Sequence, residues 1–120
     1  MGNYFQKEIE CASADQIRAW QNERLVKQVK NIYDNVPYYR TRMQNKGLEP
    51  GDIKSIDDLH KLPFITKDDL RDAYPYGLLA RPLKDCVRMQ STSGTTGRRV
   101  VAFYTQHDLD LWEDCCARAI

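Results

Sequence analysis

No stretch of this chain approaches the roughly 20 consecutive apolar residues that cross a bilayer, and its start carries no apolar run of signal-peptide length. The expectation is a cytoplasmic protein without a membrane span. Charge of one sign is lacking too: 18 Lys and Arg stand against 17 Asp and Glu, and the basic residues are spread along the sequence. That balance leaves no electrostatic footprint for nucleic acid or an anionic membrane. The four cysteines, Cys11, Cys86, Cys115 and Cys116, form no C-x-x-C pair. Free thiols used as small core residues are expected rather than a zinc or dithiol site. Internal repeats and low-complexity tracts are absent as well, and so is the Gly-x-x-x-x-Gly-Lys-Ser/Thr signature of a Walker loop.

What the chain does have is one concentrated run of small and hydroxylated residues. From Arg88 it reads R-M-Q-S-T-S-G-T-T-G-R-R, followed by the β-branched stretch Val100–Tyr104. Glycines let a backbone take positive φ and come close to a ligand, successive amides can point into one concavity, and hydroxyls add donors. Arginine supplies charge and a planar donor fork suited to phosphate oxygens. A polar hairpin turn would use the same residue types. A tight hairpin, however, needs only two to five connecting residues, and this run of Ser, Thr and Gly is longer.

The residues before it pattern as helices. Ser13 with Gln16 is a capping box, and Ile17, Trp20, Leu25, Val29, Ile32, Tyr33 and Val36 form the stripe of a long helix ending near Asn35, before Pro37. Asn35 is expected to cap a second helix through Met43 to Gly47, with Tyr38, Tyr39 and Met43 on its core side. Glu49–Asp52 reads as a turn. Ser55 with Asp58 and Thr66 with Asp69 repeat the capping logic and open two short helices, closed by Leu62-Pro63 and Tyr74-Pro75. Residues 1–77 thus form a helical N-terminal region. From 78 to 120 the pattern becomes strand, glycine-rich loop, strand and helix, with Cys86–Met89 and Val100–Tyr104 as strands and the second of these as a buried one. His60 and His107 read as surface or capping groups, and Asp108, Asp110, Glu113 and Asp114 as an acidic first stretch of the last helix. The two strands lack neighbours, and the last helix shows Leu109, Trp112, Cys116, Ala119 and Ile120 on one apolar face. The segment is therefore expected to be the front of a longer protein, inactive and poorly folded alone.

Here the sequence resembles a family. Ser93-Gly94-Thr95-Thr96-Gly97 is similar to the phosphate loop of adenylate-forming enzymes. Leu62-Pro63-Phe64 with Thr66-Lys67-Asp68-Asp69-Leu70-Arg71, Val36-Pro37-Tyr38-Tyr39-Arg40, Tyr74-Pro75-Tyr76-Gly77 and Thr105…Asp108-Leu109…Trp112 resemble segments of phenylacetate–CoA ligases. One departure stands out: the family usually has Lys-Pro after the second glycine, and this chain has Arg98-Arg99.

The resemblance implies an α/β fold, α+β within this segment, forming the start of the large domain of an adenylate-forming enzyme. It implies ATP, Mg²⁺ and coenzyme A as cofactors, and a small aryl carboxylic acid, the remainder of the polypeptide and a second copy in a homodimer as partners. Ser93, Gly94, Thr95, Thr96, Gly97 and Arg98 would hold the ATP phosphates, Thr95 or Thr96 would meet the Mg²⁺, and no catalytic residue falls within the segment. Arg98 would take the place of the family's lysine, with Arg99 contributing less. Two rival readings are a helical interaction module whose loop binds an anion without catalysis, and an adenylating enzyme with another acyl acceptor.

Overall fold

Proline and hydroxyl–carboxyl pairs set the helix boundaries in the first half of the chain. The computed structural model describes residues 4–94, 97 and 99–119. A single turn, α1 (Lys7–Glu10), precedes the long α2 (Ala14–Asn35), which opens on the expected capping box: Ser13 Oγ accepts the Gln16 amide at 3.2 Å and Gln16 Oε1 accepts the Ser13 amide at 3.3 Å. Pro37 ends α2 and begins α3 (Pro37–Asn45) by holding Val36 extended, at φ −118° and ψ 90°. Val36 is therefore the N-cap residue of α3, and the expected cap by Asn35 does not form. Asn35 is instead the last residue of α2, with its side-chain amide donating back to the Asn31 carbonyl at 2.8 Å.

The next two capping boxes are present. Ser55 and Asp58 open a 3₁₀ turn over Ile56–Lys61, where an ordinary short helix was expected, and Thr66 and Asp69 open α4 (Lys67–Asp72). Glu49–Asp52 also closes as a 3₁₀ turn, with the Glu49 amide on Asp52 Oδ2 at 2.8 Å.

Val29 and Val36 from the α2 stripe, Tyr39 and Met43 from α3, and Ile53 are buried together, with Leu25, Ile32, Tyr33, Tyr38, Leu62, Leu78 and Ala80 packed around them. Burying each of the large aliphatic side chains contributes about 1.5–3 kcal/mol. Coverage is uneven along α2: Ile17, at the other end of the same stripe, is exposed. The cysteines do not join the core as expected. Cys11, Cys115 and Cys116 are exposed and Cys86 is half-buried, all as free thiols, because α1, α5 and the hairpin contribute nothing to the buried cluster.

A third 3₁₀ turn (Leu83–Asp85) leads into β1 (Cys86–Ser91), which pairs antiparallel with β2 (Val101–Thr105). The strands, expected to lack neighbours, satisfy each other instead: Met89 faces Phe103, Gln90 faces Ala102 and Ser91 faces Val101, with a register shift at Val87. β2 is half-buried throughout rather than a buried central strand, since β1 is its one strand neighbour among the described residues. The fourteen-residue α5 (Gln106–Ala119) follows directly. Thr105 and Asp108 cap it as Thr66 and Asp69 cap α4, with Asp108 Oδ2 accepting both the amide and the hydroxyl of Thr105 at 2.8 Å. Trp112 lies on Tyr104, ring centroids 5.8 Å apart, and Gln6 ties the N-terminal arm to α5 through Asp114 and Arg118.

Among the described residues, Asp69 is the buried charged residue. Its carboxylate accepts the Thr66 amide (2.7 Å), the Tyr38 hydroxyl (2.8 Å) and the Thr66 hydroxyl (2.8 Å), and is paired with Arg42. The Thr66 amide first, then the Tyr38 and Thr66 hydroxyls, lower its pKa from 3.8 to about 2. Asp58 is held down to about 2 as well, chiefly by Lys61 and then by the Lys54 amide. For a carboxylate whose folded pKa is depressed, the stabilisation is complete above the unfolded value and disappears as pH falls through the folded one. Thermal unfolding followed across pH should therefore show stability declining from about pH 4 toward about pH 2. Asp69→Asn should lower stability at neutral pH and remove part of that dependence. An unchanged pH profile in the variant would place the acid sensitivity elsewhere.

Candidate phosphate loop

The glycine-rich run is the connection of the β1–β2 hairpin. Beyond the last paired residues the ladder continues by one more step: the Thr92 amide donates to the Val100 carbonyl at 3.0 Å, and the Val100 amide returns to Thr92 Oγ1 at 3.1 Å. A threonine hydroxyl thus takes the place of a ladder carbonyl. The strands are clamped at the loop's mouth.

Inside the loop the Gly97 amide donates to the Gly94 carbonyl at 3.3 Å. Both glycines have left-handed φ, +70° at Gly94 and +128° at Gly97. An L side chain there is strained by about 1–2 kcal/mol. Space reinforces the constraint at Gly94, where a Cβ would lie 2.8 Å from Arg99 Cγ and 3.2 Å from the Gly97 carbonyl oxygen. Gly97 faces open space, so backbone conformation alone demands glycine there. Of the predicted site residues, Ser93, Gly94 and Gly97 are thus placed in one loop with Ser93 and Gly97 exposed. Thr95, Thr96 and Arg98, with the proposed Mg²⁺ contact, lie outside the described residues.

Arg99, expected to contribute less than Arg98 to phosphate binding, lies against Gly94. Its stem crosses the position where Gly94 would carry a side chain. Thr92 was also passed over as a structural residue, although its place in line with the strand alternation, opposite Val100, was the available signal.

Beside β2 lies a cleft of about 640 Å³, lined in part by Gln28, Asn31, Tyr74, Phe103, His107 and Asp108. Asp108 is committed to capping α5: the Thr105 amide, then the Thr105 hydroxyl, lower its pKa from the ordinary value. His60 Nδ1 sits 2.7 Å from the Asp57 carbonyl oxygen of its own 3₁₀ turn. Among the described residues no group of three or more His, Cys, Asp or Glu is placed to hold a metal ion. No helix among them is long and apolar enough to cross a membrane.

No family model matches the chain. The phenylacetate–coenzyme A ligase of Pseudomonas putida is 47% identical to it over 112 residues, which are 93% of this chain and 26% of that protein. Those of Aromatoleum evansii and Thermus thermophilus are 48% and 39% identical, over 93% and 97% of this chain. The chain is homologous to the N-terminal part of phenylacetate–CoA ligases. It spans about a quarter of the length of the curated relatives it matches, 26% in each of these three cases. The crystal structure of a 2-hydroxyisobutyryl-CoA ligase in complex with 2-HIB-AMP and CoA superposes with a TM-score of 0.84 at 26% identity, over 96% of this chain and 25% of that one. A second structure of that ligase, in the postadenylation state, matches the fold with a TM-score of 0.77 at 22% identity over 89% of this chain and 23% of that one. The expected fold is thereby established: helices plus a small antiparallel sheet, as in the N-terminal region of an adenylate-forming CoA ligase.

The Thr92 clamp is open to a direct measurement. Thr92→Val keeps the shape and removes the acceptor of the Val100 amide, a loss of about 1 kcal/mol. Hydrogen exchange at Val100 should quicken by about fivefold, with exchange in α2 unchanged. Equal rates in both proteins would mean that the hydroxyl does not hold the loop's mouth.

Proposed function

We propose that the chain is the phosphate-handling N-terminal segment of an ATP-dependent aryl-acid CoA ligase acting on a phenylacetate-like acid. The observation that carries this reading is the clamped hairpin loop, with its two positive-φ glycines and an arginine laid across it, in a segment homologous to phenylacetate–CoA ligases. In the reaction, a carboxylate oxygen attacks the α-phosphorus of ATP, the bond to the β-phosphate breaks, and pyrophosphate leaves with the electron pair. The thiol of CoA then displaces AMP from the acyl carbon to give the thioester.

The segment's part is to hold the β- and γ-phosphates in line for departure. Amides around Gly94 and Gly97, the Ser93 hydroxyl and the arginine charge stabilise the negative charge that builds on the leaving group. The absence of a Cβ at both glycines suits close approach by phosphate oxygens. Mg²⁺ bound to ATP would neutralise part of the phosphate charge, with the hydroxyl of Thr95 or Thr96 as its contact on this chain. The aryl pocket and the contacts to adenine, ribose and CoA belong to the remaining polypeptide. Phe64 (85% exposed), Met89 (64%) and Val87 (57%) are apolar surfaces suited to packing against it.

In the full-length protein, Gly94→Ala and Gly97→Ala should each weaken use of ATP by about tenfold or more, from about 1–2 kcal/mol of strain plus lost phosphate approach. The KM for the aryl acid should barely move. Steady-state formation of the CoA thioester, followed by mass spectrometry, reads both quantities. Unchanged ATP kinetics in both variants would remove the loop from the phosphate site, and an acyl-adenylate that never becomes a thioester would point to another acceptor.

A further inference from the structure

Arg99 lies on the return side of the loop, and its side chain is directed back over Gly94. The Cγ and Nε atoms lie 2.8 Å and 3.5 Å from the point where a Gly94 Cβ would be. The missing side chain of one residue is thus the seat of another's stem. Arg99 is nevertheless exposed, and among the described residues no hydrogen bond or ion pair engages its guanidinium. Arg18, Arg42, Arg71 and Arg118, by contrast, each reach a partner.

An arginine carries about 2 kcal/mol of rotamer entropy, and a stem seated against the backbone gives up part of it before any ligand arrives. A pre-placed guanidinium beside Gly94, with no partner among the described residues, is matched to a multivalent phosphate, which its planar fork can engage through two oxygens at once. We propose that Arg99 is an anion-binding residue of this loop, seated by Gly94 and holding the pyrophosphate group of ATP before and after its release. This inference rests on the ligase reading for the identity of the anion. The family resemblance does not supply it, because the residue stands where those relatives usually carry proline.

The experiment uses the full-length protein, with inorganic pyrophosphate titrated calorimetrically into wild type, Arg99→Ala, Arg99→Lys, Gly94→Ala and the Gly94→Ala/Arg99→Ala double variant. Thioester formation and melting temperature are measured alongside. Arg99→Ala should weaken pyrophosphate binding by about tenfold, as loss of a charge-assisted contact would, while the KM for the aryl acid and the melting temperature hold. Lysine should restore part of the affinity. The double variant should lose less than the product of the two single losses, because the stem that an alanine at Gly94 would strike is gone. Equal pyrophosphate affinity in wild type and Arg99→Ala, or no pyrophosphate binding in the wild type, would overturn the role of Arg99. Should Arg99→Ala not fold, comparing Arg99→Gln with Arg99→Lys decides between charge and packing. Wild-type protein that binds pyrophosphate through Arg99 but forms no thioester would refute the ligase reading and leave the anion-binding role standing.

Discussion

Asp69 carries a charge among buried surroundings, and the helical half of the protein is arranged to satisfy it. A carboxylate in such a place is costly unless each lone pair is engaged. Here the N-cap of α4 supplies the Thr66 amide and hydroxyl, and α3 supplies the Tyr38 hydroxyl and Arg42. Arg42 also stacks over the Tyr38 ring, 5.0 Å from its centroid, and donates to the Phe64 carbonyl at 3.1 Å. One side chain thereby caps one helix and fastens it to another, beside the cluster built on Met43 and Val36. Breaking that set by removing a single partner would leave the charge uncompensated, which is why the arrangement behaves as a unit.

The hairpin half follows a different logic, in which backbone conformation rather than burial is the constraint. None of the loop's described residues is buried, yet two glycines at positive φ and a threonine standing in for a ladder carbonyl constrain its backbone. The anion site proposed for this loop would draw on backbone amides turned into one concavity. The helical region meets the hairpin through Tyr76 on Phe103, ring centroids 5.5 Å apart, and meets α5, which follows the hairpin directly, through Gln6 on Asp114 and Arg118. The loop is therefore carried on a framework rather than hanging from an isolated hairpin.

Much of this was legible in the sequence wherever a rule is local. The boxes at Ser13, Ser55 and Thr66 were readable because cap and partner lie three residues apart and act within one turn. The same logic at Thr105 and Asp108 gives a physical reason for part of the Thr…Asp-Leu…Trp pattern. Asn35 misled because its side-chain chemistry suits a cap while Pro37 had already imposed the boundary one residue later. The grip of Tyr38 and Arg42 on Asp69 spans 31 and 27 residues, beyond any spacing rule. Pairing of β1 with β2 was obscured by the long loop between them, which argues against a tight turn but not against a hairpin. Exposed cysteines were taken for core because small apolar residues are usually inside, a tendency that fails where a helix face is uncovered. In the loop, the glycines were identified by type, whereas the seating of Arg99 on Gly94 depends on coordinates that no pattern encodes.

The step proposed for this segment is cleavage of ATP between its α- and β-phosphates. Isotope exchange between labelled pyrophosphate and ATP, catalysed by the full-length wild-type protein without CoA, addresses that step alone. Label should enter ATP only when an aryl acid such as phenylacetate is present, with the acyl-adenylate and no ADP formed. Absence of exchange across a panel of aryl acids, or cleavage of ATP to ADP, would contradict it.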